Sequence, residues 1–129
     1  MIVVDCSAAV DALTGAPGIA ELIDVLASED LHAPALIDYE VVAATRSLVL
    51  RRQVSPKRAI DVLTDFDDLP IQRWPADAAL RRRAFQLRDA LSAYDAAYVA
   101  LAEAMDCALV TRDARLARSS GHAAQIRAF

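Results

Sequence analysis

The chain has 129 residues, which is the size of one domain. At this length roughly two-thirds of the unfolded surface can be buried, so a core forms without disulfides or structural metal. Hydrophobic residues are 56% and aromatics 5%, which excludes a disordered tail and predicts a core of Ala, Val and Leu. With 14 basic and 18 acidic residues the formal charge is −4, so the bulk basic footprint of a nucleic-acid binder is absent.

The elements follow in chain order. Ile2 to Asp5 opens with a continuous β-branched run, the pattern of a strand buried on both faces. Ser7 is the expected N-cap of a short helix over Ala8 to Leu13. Thr14-Gly15-Ala16-Pro17-Gly18 breaks the chain, and Ile19, Leu22, Ile23 and Leu26 form a helical stripe. Leu31 to Ala33 reads as a short strand before Pro34. A long helix follows from about Ile37 to Arg52, with Val41, Ala44 and Leu48 on one face. Ser55-Pro56 starts the next helix, striped by Ala59, Ile60, Leu63 and Phe66. Pro70 to Trp74 is extended, and a helix runs from about Ala76 to Leu91. Ser92-Ala93-Tyr94-Asp95 opens another helix as a capping box with Asp in place of Glu, running to about Met105. Ala108 to Thr111 is a buried strand, Asp113 caps a short helix, and Ile126 to Ala128 is a last strand. Strands alternating with helices predict an α/β sandwich with a mostly parallel sheet.

Several chemistries lack their residues. Only Cys6 and Cys107 are present, far in sequence from His32 and His122, so no zinc spacing exists and two reduced thiols are expected. No G-x-G-x-x-G, P-loop or nucleophile elbow occurs. The N-terminus has no basic region, and no apolar run approaches the ~18 residues of a membrane span. A cytoplasmic, non-membrane protein is the expectation.

Ligands in open α/β sheets bind at the carboxyl ends of the strands. Asp5 ends the first strand, Asp113 lies just past Ala108–Thr111, and Asp95 and Glu40 sit in the first turns of helices. Taken singly, Asp113 serves as an N-cap, and Asp95 and Glu40 as acids favoured by a helix dipole. Asp5 after Ile-Val-Val is harder to assign to packing. Brought to one sheet edge, four carboxylates repel by about 3 kcal/mol per pair at ~5 Å and an effective dielectric of ~20. Such a cluster takes up protons or holds a cation. Oxygen-only ligands favour Mg²⁺, with Mn²⁺ as an alternative. A water acidified by the ion is a nucleophile for in-line attack on a phosphodiester.

These residues carry a resemblance over the full length, with the motifs in order. Ile2-Val3-Val4-Asp5-Cys6-Ser7-Ala8, Glu40, the segment Ser92 to Ala102 and Leu109-Val110-Thr111-Arg112-Asp113-Ala114-Arg115-Leu116 resemble PIN-domain ribonucleases, specifically the VapC toxins of bacterial toxin–antitoxin pairs. The most specific stretch is Tyr94 to Leu101. The resemblance implies one PIN-like three-layer α/β/α domain over residues 1–129, with a short sheet of four to five strands. It implies a Mg²⁺-dependent endoribonuclease whose acidic quartet is Asp5, Glu40, Asp95 and Asp113, with Thr111 and Ser7 as accompanying hydroxyls. It further implies an RNA substrate, a homodimer and a VapB-type antitoxin that covers the active-site groove. Arg112 departs from the small residue many relatives carry, and no acid follows at Arg115 or Leu116. Arg112 and Arg115, beside Asp113, are candidates for RNA phosphates. Arg46, Arg51, Arg52, Lys57 and Arg58 bracket a helix–helix corner, and Tyr94 and Trp74 are candidates for base stacking.

Rival readings remain: a non-catalytic PIN-like module whose acids are caps, a receiver-type regulator, and a haloacid-dehalogenase-like phosphatase. The receiver needs a pocket lysine, but Lys57 stands alone on an outer helix. The phosphatase needs an acid where Ser7 stands. Finally, 18 acids less the four proposed ligands leaves 14 against 14 basic residues. Bound cations would reverse the sign where RNA approaches, so RNA binding is expected to need divalent metal.

Overall fold

A computed structural model describes residues 1–129. Five strands, β1 (Ile2–Val4), β2 (Leu31–Pro34), β3 (Ile71–Trp74), β4 (Ala108–Thr111) and β5 (Ile126–Ala128), form one sheet in the order β3-β2-β1-β4-β5. Every pairing is parallel, so the expected mostly parallel sheet is wholly so. β1 is central: Ile2 pairs with Leu31 on one side and Ala108 on the other. Its three residues are fully buried, which is why they read as an unbroken apolar run.

The crossovers carry α1 (Cys6–Thr14), α2 (Ala20–Ser28), α3 (Ile37–Leu50) and α4 (Pro56–Asp68) on the way out to β3. α5 (Ala78–Gln86), α6 (Ala93–Met105) and α7 (Ala114–Ala117) lie on the return through β4 to β5. Right-handed crossovers running in opposite directions put these two sets on opposite faces, giving the α/β/α sandwich. α1, α3 and α4 pack on one another, and α6 packs on α5 and on the central strands. The strand order reverses between β1 and β4, so their carboxyl ends flank the crevice where such sheets bind ligands.

Local chemistry explains the helix starts. Ser55 and Ser92 accept from the Arg58 and Asp95 N–H groups, as their positions predicted. Asp77 caps α5, which is shorter than the expected Ala76–Leu91 helix because residues after Gln86 turn back through Leu87, whose N–H is shared by the Arg83 and Ala84 carbonyls. On α4 the buried stripe is Ala59, Val62 and Phe66, whereas Ile60 is exposed. Arg83 of α5 reaches Glu103 of α6 with two nitrogens, at 2.7 and 2.9 Å, and holds that carboxyl below its usual range. No helix is long and apolar enough to cross a membrane.

Thr45 of α3 is buried, and its Oγ1 has no hydrogen-bond partner. Valine keeps the shape and removes the orphaned hydroxyl. Thr45→Val is expected to stabilise the fold by about 1 kcal/mol, a rise of roughly 3–6 °C in Tm. Thermal denaturation checks this, and a lower Tm would contradict it.

Candidate active site

Asp5 emerges from β1 and ends the strand with its N–H on the Val110 carbonyl. Its side chain, not that of Ser7, is the N-cap of α1: Oδ1 accepts the Ala8 N–H at 2.9 Å. The expected Ser7 cap is thus corrected. The carboxylate takes the position because the helix starts two residues earlier than the apolar pattern suggests, at Cys6 rather than Ala8. Ser7 supports the acid instead. Its Oγ donates to Asp5 Oδ1 at 2.7 Å and accepts the Arg112 N–H at 2.9 Å.

Thr111, at the end of β4, is fully buried. Its hydroxyl donates to Asp5 Oδ2 and accepts the Asp113 N–H at 2.9 Å. One hydroxyl therefore fixes both the first acid and the backbone of the last. Asp113 caps α7 through the Arg115 N–H.

Glu40, in the first turns of α3, accepts the Tyr98 hydroxyl at 2.6 Å. Tyr98 and Asp95 are three apart on α6 and share one helix face. Only half of the expected capping box forms at Ser92. The Asp95 N–H donates to Ser92 Oγ, while the Asp95 side chain lines the groove described next.

Asp5, Glu40, Asp95 and Asp113 all line one open groove of about 500 Å³ between α1, α3 and α6. They sense one another electrostatically. Burial pushes the Asp5 carboxyl above its usual range, bonds from Thr111, Ala8 and Ser7 pull it back, and the charge of Asp113 pushes it further up. Burial likewise raises Glu40, the Tyr98 bond opposes this, and the charges of Asp95 and Asp5 add to the rise. Asp113 goes the other way, because Arg115 lies beside it and holds it below its usual range. Cys6 also lines the groove, but burial pushes its thiol up to about 12, so it stays protonated and offers no thiolate.

No three or more His, Cys, Asp or Glu side chains stand close enough together to hold a metal ion by themselves. The donor set still fits a hard cation. All four charged groups supply oxygen, none is an imidazole, and the groove is open to water. Mg²⁺ keeps several waters and uses only one or two carboxylates directly, so it needs no preformed cage.

The other candidates fall elsewhere. Arg112 turns from the groove: Nε donates to Asp11 Oδ2 at 3.0 Å and Nη2 to the Pro17 carbonyl at 3.0 Å. Gly15, at φ +69°, lets the chain leave α1 and bring Pro17 back to that guanidinium. Arg115 contacts Asp113 at 3.2 Å and is otherwise exposed. Trp74 donates to His32 Nδ1 and, with Tyr94, lines a separate apolar cavity of about 450 Å³ that contains none of the four acids. The sequence reading missed Tyr98 as a partner of Glu40 and Asp11 as a partner of Arg112. Their spacings, three residues from Asp95 and four from Ser7 on single helix faces, were the available signals.

The sequence pattern of the PIN domain matches residues 2–121. The chain belongs to the PIN-domain family. This PIN domain is 44% identical over 126 residues to the ribonuclease VapC12 of Mycobacterium tuberculosis, covering 98% of the chain and 97% of the relative. It is 40% identical to ribonuclease VapC1 of the same species over 97% of the chain and 95% of the relative. Among solved structures, VapBC2 from Rickettsia felis, bound to a promoter DNA fragment, superposes with a TM-score of 0.70 at 14% identity. That alignment covers 99% of this PIN domain and 98% of the other chain, and it carries the fold alone. Sequence and architecture thus agree on a VapC-type PIN domain.

Tyr98→Phe tests the support of Glu40. Tyr98 is 2% exposed, so phenylalanine keeps the packing and loses only the bond to the carboxylate. That bond lowers the Glu40 pKa, so its loss moves the acid limb of the pH–rate profile to higher pH. A fall in rate of roughly 10-fold is expected from a hydrogen bond to a charged group. An unshifted limb would contradict the assignment.

Proposed function

We propose that this PIN domain is the toxin of a toxin–antitoxin pair, a Mg²⁺-dependent endoribonuclease, with Mn²⁺ able to substitute. The observation that carries the reading is four carboxylates lining one groove at the reversal point of the sheet. The relatives named above as VapC ribonucleases support it over nearly the full length. Asp5, Glu40, Asp95 and Asp113 would hold the cation, in part through water. A bound divalent ion supplies a water acidic enough to attack a phosphodiester and an electrophile for its oxygens.

The chain's own residues set the geometry. Ser7, the Ala8 N–H and Thr111 fix both oxygens of Asp5, leaving one orientation of that carboxylate toward the groove. Thr111 also sets the backbone of Asp113, and Tyr98 orients Glu40. Hydrolysis of this kind leaves a 5′-phosphate and a 3′-hydroxyl. With the acids uncompensated, the groove repels RNA, so divalent metal is required for binding as well as cleavage. A cognate VapB-type antitoxin and a homodimer complete the reading, as the resemblance to VapC toxins implies. The cytoplasm, where RNA is met, is the proposed location.

A second reading, a non-catalytic RNA- or protein-binding module, draws on one observation. Asp5 and Asp113 are both helix caps, which gives each acid a structural role. The experiment that separates the two is mapping RNA 5′ ends after brief expression of wild type and of Asp95→Ala. New ends that depend on Asp95 are expected. Identical ends in both strains would favour the binding module.

A further inference from the structure

The acids occupy only part of the groove. α3 forms one wall, and Glu40, Ala44, Ser47 and Arg51 lie along a single stripe of that helix, all lining the groove. Eleven residues at about 1.5 Å each place Arg51 roughly 16 Å along α3 from Glu40. Arg51 is the one cation among the groove-lining residues. It is exposed, and its guanidinium joins no ion pair. Across the groove, Arg58 donates from Nη2 to the Leu13 carbonyl at 2.9 Å, which places a second guanidinium beside Thr14 at the end of α1. The groove therefore runs from an anionic end to a cationic corner. Arg51 and Arg58 mark that corner, with Arg52 and Lys57 next to them in sequence.

The two arginines next to Asp113 are engaged otherwise, Arg112 by Asp11 and Pro17, and Arg115 by Asp113 itself. Arg51 is the free charge facing the groove. Resting on the ribonuclease reading, we propose that Arg51 is the anchor of a remote phosphate subsite that binds the RNA backbone away from the scissile bond. At about 3.4 Å per nucleotide, the spacing along one strand of a duplex, the phosphate held at Arg51 lies within about five nucleotides of the cut. Ser47, one turn before Arg51 on the same stripe, offers a hydroxyl to the same phosphate. Phosphate contacts of this kind set register without reading sequence. The subsite thus favours substrates with several nucleotides on one side of the cleaved bond.

The test uses single-stranded RNA oligonucleotides containing the wild-type cleavage site, each with one phosphate replaced by an uncharged methylphosphonate. Replacements cover five positions on each side of the cut. Wild type, Arg51→Ala and Arg51→Lys are compared in Mg²⁺. In wild type one remote replacement is expected to lower kcat/KM about 5- to 20-fold. Arg51→Ala is expected to lose the same factor on unmodified RNA, mainly in KM, and to ignore that replacement. Arg51→Lys should recover part of the loss. The slope of log affinity against log salt should become shallower by about 0.7 for Arg51→Ala. Wild-type cleavage with unchanged KM and salt slope in Arg51→Ala would overturn the subsite and leave the ribonuclease reading standing. So would losses that multiply at every position. No cleavage by wild type in Mg²⁺ or Mn²⁺ would overturn the ribonuclease reading and the subsite with it.

Discussion

Asp95→Asn is expected to lower divalent-metal-dependent RNA cleavage by at least about a thousand-fold, roughly 4 kcal/mol of transition-state stabilisation, with little change in Tm. The separation of activity from stability follows from how Asp95 is held. Its backbone N–H completes the Ser92 cap, and asparagine keeps that bond. Its carboxylate lines the groove and makes no hydrogen bond of its own, so structure loses only the favourable placement of an acid near a helix N-terminus, about 0.3–1 kcal/mol. A cation bound as proposed would lose a full ligand charge. Initial rates on a labelled RNA, alongside thermal denaturation of both proteins, check the prediction. Activity within 10-fold of wild type would remove Asp95 from the proposed metal-binding set.

At Asp5 the two acceptable replacements are expected to diverge. Asparagine retains an oxygen for Ser7 and the Ala8 N–H, and its amide can donate to the Thr111 hydroxyl once that hydroxyl turns. It also removes a charge that burial disfavours. Alanine loses the helix cap, about 1 kcal/mol, and leaves Ser7 and Thr111 short of an acceptor at a further 1–3 kcal/mol. Without metal at neutral pH, Asp5→Asn should match or exceed wild type in Tm, and Asp5→Ala should fall well below it. Both should abolish cleavage, and Mg²⁺, expected to raise the Tm of wild type, should leave theirs unchanged. The pH dependence has a definite sign. The Asp5 carboxyl is raised in the folded state, so the unfolded chain releases its proton first. As pH rises from the ordinary carboxylate range through the raised native value, this group withdraws stability, and above that value its effect is constant. Asp113 and Glu103 are lowered and act oppositely: their contribution is full above the unfolded value and is lost as pH falls through the folded one. Comparing wild type with Asp5→Asn cancels the Glu103 contribution, and Glu40, which the Asp5 charge helps to raise, moves the difference in the same direction as Asp5 itself. The difference in Tm should widen in favour of the variant across that window. A constant difference would show that Asp5 is not strained by burial.

The site was most legible where its cause was local. The strands Ile2–Val4 and Ala108–Thr111 are buried on both faces, so their apolar runs were unbroken. Ser55, Ser92 and Asp113 are caps because their own neighbours supply the N–H groups. Asp5 was harder, because Ser7 is an equally good cap by type and two residues of helix start decide between them. Partnerships across the fold left no local trace. Arg112 meets Asp11 across 101 residues and Tyr98 meets Glu40 across 58. Those pairings explain why an arginine beside Asp113 is structural, while Arg51, remote in sequence from Asp5, Asp95 and Asp113, lines the groove. The net charge of −4 by itself argues against a nucleic-acid partner, but four of the 18 acids line one groove. Gathered in one groove they mark the place where a cation would make RNA binding possible.

The most direct measurement is the product chemistry of purified wild type acting on single-stranded RNA, with and without divalent ion. Cleavage in Mg²⁺ that leaves 5′-phosphate and 3′-hydroxyl ends, stops with excess EDTA and is absent from Asp95→Asn is the result the four-carboxylate site predicts. Cleavage that persists in EDTA, or that leaves a 2′,3′-cyclic phosphate, would contradict it.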